Sequence, residues 1–257
     1  MPNKILIFIP TYNEADNAPV MCEEIHKLHL DADVLFTDDN SPDGTGRILD
    51  NLKATYPNLI VNHRTGKLGI GTAHLEAIQW AYRQNRYQVM VTMDCDFTHS
   101  PSDIPAMIEA AGNCDVSVGS RWIHKNSLPG WNLFRRIMTT LGHVLTKVVL
   151  GIPQDASGAF RVYRLDRLPA EVFLPVKSRG YSFFFESLFI IKQNGYSIKE
   201  VPITLPSRLY GHSKMSTAAA WKSACYVFEL YLANLRDPKQ FLIKEQTGSA
   251  SAPAHDQ

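Results

Sequence analysis

Cysteine is scarce in this 257-residue chain: Cys22, Cys95, Cys114 and Cys225 stand far apart, and no C-x-x-C pair occurs. That spacing argues against a disulfide framework or a structural zinc site and fits a reducing cytoplasm. Net charge is also small, at +1. So no bulk attraction to nucleic acid or to an anionic membrane is expected, and any basic site must be local. No segment approaches the roughly 18 uninterrupted apolar residues of a spanning helix. The N-terminal MPNKILIFIP is too short an apolar run for a signal peptide and leads straight into polar TYNEAD. Several motifs are missing too. Lys67-Leu-Gly-Ile-Gly-Thr-Ala73 is neither G-x-G-x-x-G nor G-x-x-x-x-G-K-[ST], which rejects a Rossmann dinucleotide site and a Walker-A site. Ser157 lacks a G-x-S-x-G setting, and nothing supplies the further ligands that a zinc site at His99 would need.

What is present is a regular alternation. Apolar, β-branched runs predict strands at Lys4–Ile9, Val34–Thr37, Leu59–Asn62, Val89–Met93 and Val116–Gly119. Helix-period segments fall between them, at Glu14–Leu30, Thr45–Thr55, Thr72–Gln84 and Pro101–Ala111. This βαβα order predicts a largely parallel, Rossmann-like sheet with helices on both faces. The second half is less regular, with strands expected at Gly158–Tyr163 and Ile198–Ile203 and helices at Asn132–Leu150, Phe183–Gln193 and Ala218–Leu235. Hydrophobic content of 45% suits one large domain over residues 1–243. The tail, 244–257, lacks apolar anchors and is expected to be disordered.

Ligands in such sheets bind at the carboxyl ends of the strands. Pro10–Glu14, Asp38–Asp43, Asp94–Asp96 and Ser120–Arg121 each follow a predicted strand. Asp94 and Asp96, two residues apart, repel unless a cation lies between them, and hard Mg²⁺ or Mn²⁺ takes carboxylate and phosphate oxygens. A solvated turn is the bland alternative for this pair. Asp38–Gly46 reads either as a helix-capping turn or as a place where a carboxylate meets a nucleoside. The glycines of Lys67–Gly71 suit a tight loop against the sheet better than an anion cradle at a helix N-terminus. Arg208 and Lys214 flank Leu-Tyr-Gly-His-Ser, a polar loop able to close over a pyrophosphate. The apolar stripe of Asn132–Leu150 suits packing on the sheet or lying in a membrane interface equally well.

Taken in order, Ile9-Pro-Thr-Tyr-Asn-Glu14, Asp38-Asp-Asn-Ser-Pro-Asp-Gly44, Lys67–Gly71, Asp94-Cys-Asp96, Gly119-Ser-Arg121, Asp155-Ala-Ser-Gly158 and Arg208–Lys214 form a set that resembles the polyprenyl-phosphate (dolichol-phosphate) mannosyltransferases. The resemblance covers about residues 4–235. It implies a GT-A fold, inversion at the sugar, a GDP-mannose donor, a polyprenyl phosphate acceptor and a Mg²⁺ or Mn²⁺ cofactor. By that resemblance Pro10, Tyr12, Glu14, Thr37 and Asp39 match guanosine-binding positions. Asp94, Cys95 and Asp96 match the diphosphate–metal motif, with Asp96 the main metal ligand. Thr98 falls where some relatives place a metal-ligating glutamine, and Ser182 where some place a lysine. Arg121 and Arg135 match acceptor-phosphate residues, while Arg208 and Lys214 match the loop over the donor diphosphate. The expected setting is the cytoplasmic face of a membrane, reached through an interfacial helix or a small membrane-anchor partner. UDP-glucose as donor, a hydroxyl acceptor, and a non-catalytic nucleotide-sugar-binding subunit are the competing readings.

Overall fold

The computed structural model describes residues 4–206 and 217–243. Among them, seven strands form one sheet: β1 (Ile5–Thr11), β2 (Ala32–Asp38), β3 (Leu59–His63), β4 (Val89–Thr92), β5 (Val116–Ser120), β6 (Arg161–Arg164) and β7 (Ile198–Pro202). Their spatial order is β3-β2-β1-β4-β6-β5-β7. Seven helices accompany them: α1 (Asn17–His26), α2 (Thr45–Leu52), α3 (Ile70–Gln84), α4 (Ile104–Ala111), α5 (Leu133–Val149), α6 (Phe183–Gln193) and α7 (Thr217–Arg236). Each predicted strand and helix is found. Helix α1 is shorter than the expected Glu14–Leu30. Pro19 has no N–H to give and is tolerated only in a first turn. Both the Asn17 and Ala18 N–H groups donate to the Glu14 carbonyl, which leaves Glu14 in the loop. His29 at φ 51° sits just beyond the other end.

Strand alternation divides the core. In β1, Leu6 and Phe8 face one layer, with α3 and α6 residues such as Ala77 and Phe183. Ile7 and Ile9 face the other, with Met21 of α1, Leu49 of α2 and Met107 of α4. Both faces are covered, which is why these strands read as unbroken apolar runs.

One strand departs from the parallel pattern. β6 lies antiparallel between β4 and β5. The residues before an antiparallel strand emerge at the edge where its parallel neighbours end. Asp155–Gly158, which precede β6, therefore share an edge with the residues that follow β4 and β5. β7 runs parallel to β5, so the chain leaves it at that edge as well.

Candidate active site

The site is built from loops at this edge. After β1 the chain turns through Tyr12 and Asn13, the latter at φ 54°. The Asn13 N–H donates 3.0 Å to Ser41 Oγ, and the Ser41 hydroxyl donates to Asp38. Asp43 accepts from the Ala15 N–H and from the Thr45 hydroxyl and N–H. Thr45 Oγ1 in turn accepts from the Glu14 N–H at 2.9 Å. Burial would raise the Asp43 carboxyl, but the Thr45 hydroxyl and these N–H groups outweigh it and hold it below the usual range. So Asp38–Thr45 is a turn closed by its own side chains, and it also holds the N–H groups of Asn13, Glu14 and Ala15. Glu14 is buried and accepts from Asn17 Nδ2 at 2.7 Å. Thr37 is buried near the end of β2, opposite Pro10 in the strand register. Lys67 Nζ lies 4.2 Å over the Tyr12 ring.

Asp39, next to the end of β2, is buried and ion-paired to Arg64, which follows β3, at 2.5 Å. Sequence reading passed over Arg64. Its signal was only a basic residue after an edge strand, and its partner is 25 positions away. The glycine loop packs rather than cradles. The Gly71 and Thr72 N–H groups donate to the Arg179 carbonyl. A Cβ at Gly71 would come within 2.8 Å of the Gly180 oxygen and of Phe183 Cβ, and Gly69 sits at φ 103° against the same segment. The helix N-terminus is already occupied by protein.

The acidic loop follows β4, which ends at Thr92. Asp94 and Asp96 thus lie beyond the strand, and their arrangement comes from a turn rather than from strand alternation. Phe97 at φ 58° makes that turn, a left-handed conformation that costs a bulky residue energy and is concentrated at functional sites. It brings the Thr98 N–H and hydroxyl onto Asp96 Oδ1, at 3.1 and 2.6 Å. Thr98 therefore holds Asp96 in place. His99 Nδ1 accepts the Asp94 N–H at 3.0 Å. Asp96 and Cys95 are buried, whereas the Asp94 side chain is 30% exposed. Among the described residues no three His, Cys, Asp or Glu side chains group into a self-sufficient metal site. Two carboxylates on one braced turn fit a Mg²⁺- or Mn²⁺-like ion that completes its shell with phosphate oxygens and water.

Across β6 lies Arg121, just past the end of β5. Arg121 Nε donates to Asp155 Oδ2 at 2.7 Å, and both residues are buried. Burial alone would raise the Asp155 carboxyl, but the Arg121 guanidinium and N–H more than offset this and hold it below the usual range. The Asp155 N–H is held by Glu200 at 2.8 Å. Arg161, fully buried, donates to the carbonyls of Ala156, Gly158 and Phe184 and so fixes the loop. Arg135 opens α5. Its N–H donates to the Asn132 side chain at 2.8 Å and its guanidinium lies 3.6 Å from the Trp131 ring centroid. Ser182, just before α6, donates to Ser223 of α7 at 3.2 Å. Arg208 and Lys214 lie outside the described residues.

The sequence model of glycosyl transferase family 2 matches residues 6–168. The chain belongs to that family. An undecaprenyl-phosphate mannosyltransferase of Micrococcus luteus is 36% identical over 83% of this chain and 88% of its own length. A polyprenol monophosphomannose synthase of Mycolicibacterium smegmatis is 34% identical over 83% and 81%. The glycosyltransferase therefore falls within the polyprenyl-phosphate mannosyltransferase branch. Among solved structures, mannosyl-3-phosphoglycerate synthase of Rubrobacter xylanophilus aligns with a TM-score of 0.62 at 16% identity, over 97% of this chain and 78% of that one. A Pyrobaculum calidifontis mannosyltransferase, determined with GDP-Man and Mn²⁺, aligns with a TM-score of 0.54 at 16% identity, over 91% and 64%. These likenesses establish the GT-A fold.

Proposed function

We propose that this glycosyltransferase moves mannose from GDP-mannose to a polyprenyl phosphate with inversion and with a divalent cation. The observation that carries the reading is the charge layout of one sheet edge. An acidic turn follows β4, and a braced arginine follows β5, with only β6 between those strands. The names of the two bacterial relatives support the acceptor and the sugar. The GDP-Man and Mn²⁺ in the Pyrobaculum calidifontis structure support the donor and the cation, and inversion rests on the family resemblance.

In this reading Pro10, Tyr12, Glu14, Thr37 and Asp39 receive the nucleoside, and Asp94 and Asp96 the cation. A bound divalent ion would neutralise charge growing on the leaving diphosphate. Thr98 keeps the Asp96 carboxylate aimed without reorganisation. Arg121 and Arg135 take the acceptor phosphate, and Arg208 and Lys214 the donor diphosphate. A phosphate monoester has a second pKa near 6 and is already largely ionised at neutral pH. It needs no protein base, so Asp155, tied up by Arg121, serves as a brace. The work of the site is to hold two anions within reach of each other.

The lipid acceptor requires a way onto a membrane. No described helix is long and apolar enough to cross one. Helix α5 offers another route. Of its seventeen residues only Thr146 is buried, and Leu133, Phe134, Ile137, Met138, Leu141, Val144 and Val148 are exposed. Packing on the sheet does not account for that stripe. α7 lies beside α5 and exposes Trp221, Phe228, Leu232 and Leu235. The two helices suit an interfacial position beside the acceptor arginines.

The test is transfer of radiolabel from GDP-mannose into organic-extractable product with polyprenyl phosphate and Mg²⁺, run beside UDP-glucose and UDP-N-acetylglucosamine. Product from GDP-mannose alone is expected. Equal or better transfer from a UDP-sugar overturns the donor. Release of GDP with no lipid product overturns the acceptor.

A further inference from the structure

Arg64 is a buried arginine at the end of an edge strand, where basic residues usually reach water. Its Nη1 donates to Asp39 Oδ1 at 2.5 Å. Its Nη2 donates to Thr72 Oγ1 at 2.7 Å and to Glu76 Oε1 at 3.0 Å. Its Nε lies 2.9 Å from Glu76 Oε2, off the line of a hydrogen bond. The guanidinium therefore ties the end of β2 to the first turns of α3. Its anchors on α3 are themselves firm. The Thr72 hydroxyl also lies within hydrogen-bond distance of the Gly69 carbonyl, at 2.7 Å, and the Thr72 N–H reaches the Arg179 carbonyl. Glu76 is half-exposed and would stay hydrated without Arg64, whereas the Asp39 side chain is 10% exposed and would not.

We propose that Arg64 is a positioning residue for donor-base selection: it fixes the plane and the ionised state of the Asp39 carboxylate that meets the base edge. This rests on the assignment of Asp39 to the nucleoside made above. A carboxylate held in one plane can accept two neighbouring N–H groups, as a guanine edge presents in its ring N–H and its exocyclic amine. A uracil edge presents one N–H flanked by two carbonyl oxygens, which a fixed carboxylate repels. The arginine also keeps the acid an acceptor. Burial, with Asp38 and Glu76 nearby, raises the Asp39 carboxyl, and Arg64 opposes that rise. Without Arg64 the carboxyl takes up a proton at higher pH, and a protonated acid offers the base one acceptor fewer.

The test uses the full chain and calorimetry of GDP and UDP with Mg²⁺ at about pH 6 and pH 8, on Arg64→Met, Arg64→Lys and Asp39→Asn. Arg64→Met is expected to bind GDP about tenfold or more weakly at pH 6 and less weakly at pH 8, to narrow the GDP-over-UDP preference, and to raise donor KM with kcat changed less than about twofold. Arg64→Lys keeps the charge without the fork and is expected to lie between parent and Arg64→Met, with about a three- to tenfold loss. A folded Arg64→Met with parental GDP affinity and selectivity at both pH values, beside an Asp39→Asn that loses GDP, overturns the role of Arg64 alone. If Arg64→Met does not fold, parental affinity and selectivity of Arg64→Lys at both pH values overturn it instead. Parental GDP binding by Asp39→Asn overturns the nucleoside assignment beneath it.

Discussion

The side proposed to hold the nucleotide and the α5–α7 side of this glycosyltransferase are built on opposite terms. On the first, loops that would otherwise be mobile are tied by buried polar contacts: Asp43 to Thr45 and Ala15, Arg64 to Asp39, Thr98 to Asp96. The groups proposed to meet the donor are held there by the protein's own hydrogen bonds. On the second side, Phe134 is 66% and Trp221 74% exposed among the described residues, on helices that bury a few residues such as Val227 and Leu230 and turn the rest of their apolar side chains outward. Pre-ordering suits a small polar donor, which is recognised by a few directed bonds. Uncovered apolar area suits a lipid acceptor that brings its own apolar surroundings. Arg121 and Arg135 stand where the two designs meet. Arg121 is buried and braced by Asp155, while Arg135 is half-exposed and lies on an indole.

The largest expected effect is at the acidic turn. Asp96→Ala removes a carboxylate already aimed by Thr98, so turnover should fall by about three orders of magnitude or more. The fold should persist, as judged by an unchanged circular dichroism spectrum. Full activity in excess chelator would defeat the metal assignment.

Next comes the braced pair. Removing one partner of a buried ion pair costs about 3–5 kcal/mol. Arg121→Gln should therefore lower the urea midpoint sharply near neutral pH. The pH dependence distinguishes this from general damage. In the parent, the folded Asp155 carboxyl lies below its unfolded value. Its stabilisation is present above about pH 4 and is lost as pH falls through the folded value. In Arg121→Gln the guanidinium is lost while burial and the residue-121 N–H remain, so the folded value rises. The deficit should then be greatest at neutral pH and shrink as pH falls towards about 4. A deficit constant across that range would show that the charge on Asp155 is not what is left uncompensated.

Arg135→Ala should cost about 1.5–3 kcal/mol, roughly ten- to hundredfold, in acceptor kcat/KM, with GDP affinity barely changed. Equal losses in both would move Arg135 to the donor side and blur the contrast between the two regions.

How much of this could be read from the chain differs between the same two regions. The βαβα order, and the gathering of Pro10–Glu14, Asp39, Asp94–Asp96 and Arg121 at one edge, follow from period-2 and period-3.6 patterns and from the chirality of crossovers. The direction of β6 does not, because the polar–apolar–apolar–polar pattern of Arg-Val-Tyr-Arg is the same in either direction. Only its partners β4 and β5 orient it. Arg64 was not legible as a site residue, and Thr98 was read only through the resemblance, as the position of a metal ligand rather than as the brace of Asp96. Their value lies in a hydrogen bond to a carboxylate, and for Arg64 that carboxylate is far off in sequence. The fate of the Leu133–Val148 stripe was undecidable from periodicity, since a core helix and an interfacial one share the same moment. Among the described residues most of that stripe is exposed, with Leu145 and Val149 packed on the core.

That exposure sets the smallest expected change in stability and the sharpest test of the comparison. Phe134→Ser removes an aromatic ring that is mostly in water already, so its cost to folding should stay within about 0.5 kcal/mol. The same kind of truncation on the nucleotide side, Phe8→Ala in β1, empties a fully buried position and should cost about 3–5 kcal/mol. If α5 meets a bilayer, Phe134→Ser combined with Leu141→Ser should nevertheless reduce flotation with polyprenyl-phosphate vesicles. It should also weaken use of long-chain acceptor far more than use of a short, water-soluble one. Parental flotation by this variant would place membrane contact elsewhere. A large loss of stability would mean that something in the full chain covers α5, and the two regions would then differ less than their exposed residues suggest.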